Sequence, residues 1–173
     1  MILITKTNRL YLRELTLEDA LHFFEMNTDN AVIKYTGDVP FASIAAAKEF
    51  LKAYQCNYVN YKMGRWAVCL KTTNAMIGWC GLKYHPKENF ADIGYRFYKK
   101  HWNKGYATEA TKAALAYGFS VLKLDCIVAH VHKDNIGSQK VALKSGLHFV
   151  KDFIHEDEPA KCYVITKRNY NVT

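Results

Sequence analysis

The chain has 173 residues, of which half are apolar, 14% aromatic and 23% charged, with a formal net charge of +8. That length supports one domain, spanning 1–173, with a core that needs neither disulfides nor metal, and the apolar content with only three prolines excludes a disordered chain. No apolar run reaches membrane-spanning length and residues 1–6 lack the layout of a secretory signal, so a cytoplasmic protein without a membrane partner is expected.

In chain order, residues 9–15 read as a first strand. Thr16 with Asp19 then makes a capping box before Leu17, Ala20, Leu21 and Phe24, which recur at helical spacing. Residues 27–40 form a polar, turn-rich connection, after which Ser43 caps a second helix carrying Ile44, Ala47, Phe50, Leu51 and Tyr54. Trp66, Val68 and Leu70 alternate as a strand face, Thr72-Thr73-Asn74 supplies a turn, 76–84 returns as the antiparallel partner, and 90–98 is the third strand of this meander. The pattern then changes to a helix at 106–122, a strand at 126–132, a helix at 136–145 ended by Gly146, and closing strands at 147–154 and 162–167. The expectation is an α+β fold with one β-α-β crossover. Its right-handed sense opens the helix after Gly105 at the carboxyl end of the 90–98 strand, the edge that ligands favour.

That helix is preceded by Trp102-Asn103-Lys104-Gly105-Tyr106-Ala107-Thr108-Glu109-Ala110. A helix start presents unpaired N–H groups and the positive end of the macrodipole, and Gly105 admits a close backbone approach, so the segment reads either as a phosphate site or as an ordinary strand-to-helix turn. Downstream, Asn135 starts a helix with Ser138, Val141, Ala142 and Ser145 on one face; capping by Asn135 is compatible with ligand contact. The positive charge calls for an anionic partner, and because Lys and Arg are scattered rather than blocked or interleaved with aromatics, nucleic acid is not expected. The five cysteines (Cys56, Cys69, Cys80, Cys126, Cys162) have no C-x-x-C spacing and read as reduced core residues. His130 and His132 share a strand face without a third ligand nearby, so no metal is expected.

Four segments in order, Ile77-Gly78-Trp79-Cys80-Gly81-Leu82, Asp92-Ile93-Gly94-Tyr95, the run from Trp102 to Ala110, and Asn135-x-x-Ser138 followed by Ser145-Gly146-Leu147-x-Phe149, resemble the GNAT N-acetyltransferase superfamily. The likeness is strongest to its RimJ/RimL-like branch, which acetylates protein amino termini, and runs from Arg9-Leu10-x-Leu12-Arg13 to the terminal strands. It implies a mixed, mostly antiparallel central sheet flanked by helices, splayed open between the strand before Trp102 and the strand from Cys126, with acetyl-CoA in the V. The pyrophosphate loop maps onto Trp102, Asn103, Lys104, Gly105, Tyr106, Ala107 and Thr108, and the strand end that pairs with pantetheine onto Phe97, Tyr98 and Lys99; Asn135 completes the set. Many relatives have glycine at the place of Asn103, whose side chain narrows the space around the phosphates, although Asn tolerates left-handed backbone. Many also carry a tyrosine at the place of Ala142 to protonate the leaving thiolate; here that task passes to Ser138.

Acetyl transfer from a thioester needs a neutral amine, a donor for the carbonyl oxygen as it gains charge, and a proton for the thiolate. An unpaired backbone N–H near Phe97 suits the oxygen. By resemblance Asp92 is the candidate base, with solvent exposure or pairing to Arg96 as the alternatives; an α-amino group of reference pKa about 8 asks little of it. Glu109 is expected to support its own helix or to contact neighbouring structure, since a carboxylate aimed at pyrophosphate repels it. Nothing beside Cys126 lowers its pKa, so direct transfer is expected rather than a ping-pong route. Two loops, 27–41 with Tyr35, Asp38 and Phe41, and 155–161, frame the acceptor side, Tyr35 and Phe41 being the candidate acceptor-binding residues. Glu156-Asp157-Glu158 either attracts a cationic acceptor or is simply solvated. The expected acceptor is a protein amino terminus; an amino acid, polyamine or aminoglycoside is the alternative, and a non-catalytic acyl-CoA sensor is the reading from another class.

Overall fold

The computed structural model describes residues 2–155 and 157–170. Strands β1 (Leu3–Lys6), β2 (Leu10–Glu14), β3 (Arg65–Leu70), β4 (Met76–His85) and β5 (Phe90–Phe97) form an antiparallel meander. β6 (Cys126–His132) meets β5 in parallel, and β7 (His148–His155) and β8 (Glu158–Thr166) complete the order β1-β2-β3-β4-β5-β6-β8-β7 with antiparallel pairings. Helices α1 (Ala20–Thr28), α2 (Asn30–Ile33) and α3 (Ile44–Tyr61) separate β2 from β3; α4 (Tyr106–Ser120) is the crossover from β5 to β6, α5 (Ile136–Lys144) joins β6 to β7, and α6 (Lys167–Tyr170) follows β8. This is the expected mixed, mostly antiparallel sheet. Among the described residues no helix is long and apolar enough to cross a membrane.

Helices cover both faces of the meander. Cys80 and Leu82 of β4 face α4, where Trp66 meets Tyr117 edge-on at 5.2 Å between ring centroids. Trp79 faces the other way, stacked on Phe23 of α1 at 6.3 Å. Double coverage explains why Trp66, Ala67, Val68 and Cys69 are buried in succession, where the residues alternate only in size. Local signals set the helix ends: Ser43 Oγ accepts the Ala46 N–H at 3.1 Å, and Lys62 closes α3 at φ 56°. Asp19 accepts the Thr16 N–H at 2.8 Å, as a capping-box acid does, and is also gripped by Arg13 at 2.6 and 2.7 Å.

Besides the short α6, which follows β8 where no helix was expected, three elements differ from expectation. β1 precedes the strand taken as first; it is four residues long and is held by pairing with β2, a partner that no local pattern discloses. α2 is a single turn inside the expected connection, capped by Asp29, whose carboxylate accepts the Ala31 N–H at 2.9 Å. The loop expected at 155–161 is largely strand: Glu158, Pro159, Ala160 and Lys161 pair with His155, Ile154, Phe153 and Asp152. Proline fits because it stands at the strand's start, where a missing N–H breaks little of the ladder. Glu156 of the acidic run lies outside the described residues.

Gly78 lies opposite Phe97, and a Cβ there would stand 2.3 Å from the Arg96 carbonyl oxygen and 2.7 Å from the Phe97 ring. Gly78→Val therefore pushes the end of β5 from β4 and costs about 3 kcal/mol, read as a lower urea midpoint at unchanged m-value.

Candidate active site

β5 and β6 share one bridge, Asp92 with Val128; among the described residues no further pairing joins them. The Tyr98 N–H bonds the Ile77 carbonyl at 3.2 Å, so strand alternation turns the backbone groups of Tyr95 and Phe97 toward the gap. A cavity of about 550 Å³ fills it, lined by Gly94 and Tyr95 of β5, His130 and His132 of β6, Ser138 of α5, and Tyr35 from residues 34–38.

α4 begins beyond the end of β5 that borders this gap, and its Thr111 lines the cavity. Asn103 (φ 58°) and Gly105 (φ 80°) are both left-handed; Gly105 at the N-cap has no side chain, and among the described residues no side chain caps α4, which leaves its first-turn amides open to an anion. Asn103 thus occupies the backbone geometry in which its residue type is best tolerated among those with a Cβ. The loop is held from the far end of the chain: Arg9 Nη1 donates to the Lys104 carbonyl at 3.0 Å, its Nε donates to Glu109 at 2.7 Å, and its guanidinium lies 4.5 Å over the Tyr106 ring. Glu109 also accepts the Thr7 hydroxyl at 2.6 Å and the Arg9 N–H at 2.9 Å. Burial alone would raise its pKa; the Thr7 and Arg9 contacts outweigh that and lower it. The carboxylate is therefore turned to the β1–β2 connection. Arg9 is a residue that sequence reasoning did not assign to the loop, since nearly a hundred positions separate them.

Of the residues expected at the strand end, Phe97 is buried and its carbonyl accepts the Trp102 indole N–H at 2.9 Å. Tyr98 has its N–H committed to Ile77 and its hydroxyl directed at α1, donating to Glu25 at 2.5 Å and meeting His22 Nδ1 at 2.8 Å. It anchors α1 and has no backbone donor to offer. Lys99 opens a single three-ten turn, Lys99–His101.

Asn135 caps α5 through Oδ1, which accepts the Ser138 N–H at 3.1 Å. The Ser138 hydroxyl accepts the Tyr95 O–H at 2.8 Å, with Ala142 beside them in the cavity wall. A phenol thus reaches α5 from β5. Burial raises the Tyr95 pKa well above the ordinary phenol value, the Ser138 contact working against it. Tyr95 belongs to the quoted Asp92-Ile93-Gly94-Tyr95 segment, yet its partnership with Ser138 depends on how β5 and α5 are packed.

Like Tyr98, two further expected site residues are placed elsewhere. Asp92 is paired with Arg65, not Arg96: Arg65 Nη2 donates to Oδ2 at 2.6 Å and His85 Nε2 meets Oδ1 at 2.8 Å, while Arg96 pairs with Asp38. Burial would raise the Asp92 pKa, but Arg65 and His85 outweigh it and hold the carboxyl well below the usual carboxylate range. With both oxygens engaged, Asp92 is a structural anion and a poor proton acceptor. Phe41 packs on Phe50 at 5.5 Å, with its N–H donating to Asn27 Oδ1 at 2.5 Å, and does not line the cavity. Tyr35 does, stacked 5.1 Å from His132.

The family described as acetyltransferase (GNAT) domain matches residues 9–148. The chain belongs to the GNAT acetyltransferases. A GNAT relative, the uncharacterised N-acetyltransferase p20 of Bacillus licheniformis, is 35% identical over 157 residues, covering 90% of this chain and 87% of the relative. Two solved structures share the fold, each with a TM-score of 0.82. One is a spermidine N-acetyltransferase from Vibrio cholerae in complex with CoA and spermine, at 21% identity and covering 95% of this chain and 99% of that one. The other is RimL, a ribosomal L7/L12 α-N-protein acetyltransferase in complex with CoA, at 15% identity, with 95% and 97% covered. This GNAT chain is accordingly an N-acetyltransferase.

Asp92→Asn leaves the buried Arg65 guanidinium without its counter-charge and destabilises the fold by about 3 to 5 kcal/mol. Because folding depresses the Asp92 pKa, its contribution is complete above the unfolded value of about 4 and is lost as pH falls below it. Wild-type stability measured by denaturant titration should approach that of Asp92→Asn as the pH is lowered from 5 to 2.5.

Proposed function

We propose that the enzyme transfers the acetyl group of acetyl-CoA directly to a primary amine, its acceptor being a protein amino terminus. The observation carrying this reading is the gap past the β5–β6 bridge, which the N–H groups of Tyr95 and Phe97 face and the Tyr95–Ser138 pair lines, together with the uncapped start of α4 beyond the end of β5. The amides after Asn103 and Gly105 suit a pyrophosphate, and the Phe97 N–H suits a pantetheine amide. The Tyr95 N–H, closer to Ser138 along the strand, is the donor for the thioester oxygen, which moves the oxyanion site two residues from where the sequence suggested.

Tyr95 stays protonated at neutral pH and donates to Ser138 Oγ, so the serine's own hydrogen is directed elsewhere, toward the cavity. Ser138 then protonates the departing thiolate while the Tyr95 hydrogen bond steadies its oxygen. Cys126 starts β6 before the bridging Val128, is absent from the cavity lining, and partial desolvation raises its thiol pKa, which supports direct attack over an acyl-cysteine route. For the acceptor, the cavity carboxylates Asp38 and Glu158 face Arg96 and His132. A single α-amino group suits such a wall better than a polycation, which needs several unpaired anions.

The test is thiol release from acetyl-CoA with peptides having free or blocked amino termini, beside polyamines, amino acids and aminoglycosides. Release dependent on a free peptide terminus is expected; release with small amines alone replaces the acceptor, and acetyl-CoA binding without release replaces transfer with sensing. Ser138→Ala should lower kcat about 10²-fold with little change in the acetyl-CoA KM, and equal turnover removes serine from the acid role. Gly105→Val forces a branched residue to φ 80° beside Arg9 and should raise that KM at least tenfold; undiminished acetyl-CoA affinity would overturn the phosphate-loop assignment.

A further inference from the structure

With Asp92 locked, the acceptor needs another group to take its proton, and the strand across the gap carries one. His130 stands two residues beyond the bridging Val128, on the same face of β6 as Val128 and His132, and it lines the cavity. Its ring is half-buried among Phe90, Phe153 and His155, at 5.6, 4.8 and 4.9 Å between centroids. Among the described residues neither of its ring nitrogens has a hydrogen-bond partner.

The neighbouring imidazoles differ. His132 Nδ1 accepts the Asp134 N–H at 3.1 Å and its Nε2 faces Glu158 at 3.5 Å; His85 is spent on Asp92; His155 also lines the cavity but is exposed, at the end of β7 rather than on the opened strand. His130 is the cavity histidine on the opened strand with its lone pair uncommitted.

We infer that His130 is the catalytic base, accepting the proton that the acceptor nitrogen sheds as it attacks the thioester; this rests on the acetyl-transfer reading of the cavity. The charged and titratable groups facing it are His155 and Lys151 from β7, His85 from β4 and Asp92 from β5. Burial first, then His155, lowers its pKa below the ordinary histidine value, while Asp92 pulls the other way. The imidazole is therefore neutral at pH 7. It is a weaker base than a free amine, but the nitrogen becomes strongly acidic once the C–N bond forms, so transfer to His130 then runs downhill.

The protons balance. The nitrogen of the neutral amine forms the C–N bond and loses one proton to His130; the C–S bond breaks and sulfur takes one from Ser138. The proton on His130 returns through solvent to Ser138. An acceptor entering as the ammonium releases one further proton to solvent.

The test compares wild type, His130→Gln and His130→Ala over pH 5 to 9.5, with whichever amine gives the highest wild-type thiol release. His130→Gln should lose about 10²-fold in kcat at pH 7 with an unchanged acetyl-CoA KM and melting temperature. The wild-type acid limb, centred below the ordinary histidine pKa of about 6.5, should vanish in that variant, and added imidazole should restore part of the His130→Ala activity. A purely structural role moves neither the limb nor the rescue. Wild-type kcat and pH profile in His130→Gln, or a uniform loss across pH without imidazole rescue, overturn the role of His130 and leave acetyl transfer standing. No thiol release by wild type with any amine overturns the transfer reading and the base with it.

Discussion

The bridge between Asp92 and Val128 is the point at which two antiparallel blocks of sheet meet. β5 is paired with β4 from Phe90 to Phe97, and β6 is paired with β8 from Cys126 to His132. Each strand follows the twist of its own block, and past the bridge no backbone pairing joins them among the described residues. Asp92 is itself bound to Arg65 and His85, so the vertex of the V is tied through side chains to β3 and β4. The opening leaves backbone donors and acceptors of β5 without strand partners, a cost that a ligand carrying amide groups would offset.

Charge is arranged around this opening with the carboxylates occupied. Asp92 is held by Arg65, Glu109 by Arg9 and Thr7, and Asp38 by Arg96. The start of α4 therefore keeps its positive field undiminished, and the excess of cations over the whole chain works in the same direction for an anionic ligand. The pairing of Asp92 has a second effect, because it engages both oxygens of the carboxylate that the family resemblance offered as a base.

Much of the fold was legible. The alternation of the meander, the Ser43 cap, the helix after Gly105 and the left-handed tolerance of Asn103 are local properties, each set by a few neighbouring residues. What escaped depended on partners remote in the chain. β1 exists by pairing with β2, and the start of β8 reads as a loop because Glu158 and Pro159 are polar and turn-prone until β7 lies beside them. Arg96 shares a strand face with Asp92, which made it the natural partner. Arg65 wins because Gly94 has no side chain: a Cβ there would stand 2.7 Å from the Arg65 guanidinium carbon. That open position lets an arginine on β3 pass β4 and reach β5.

Sequence alone determined the family, the order of the longer elements from β2 onward, the Ser43 and Asn135 caps and the glycine-containing turn that opens α4, since these follow from interactions within a few residues and from motifs contiguous in the chain. Tertiary structure decided which side chains face one another across the V: Tyr95 with Ser138, Arg9 with the Lys104 carbonyl, Arg65 with Asp92, and His130 left free among aromatic rings. The physical reason is that such contacts depend on strand register and helix placement, which are set by the whole hydrophobic core and are felt only when the chain is folded.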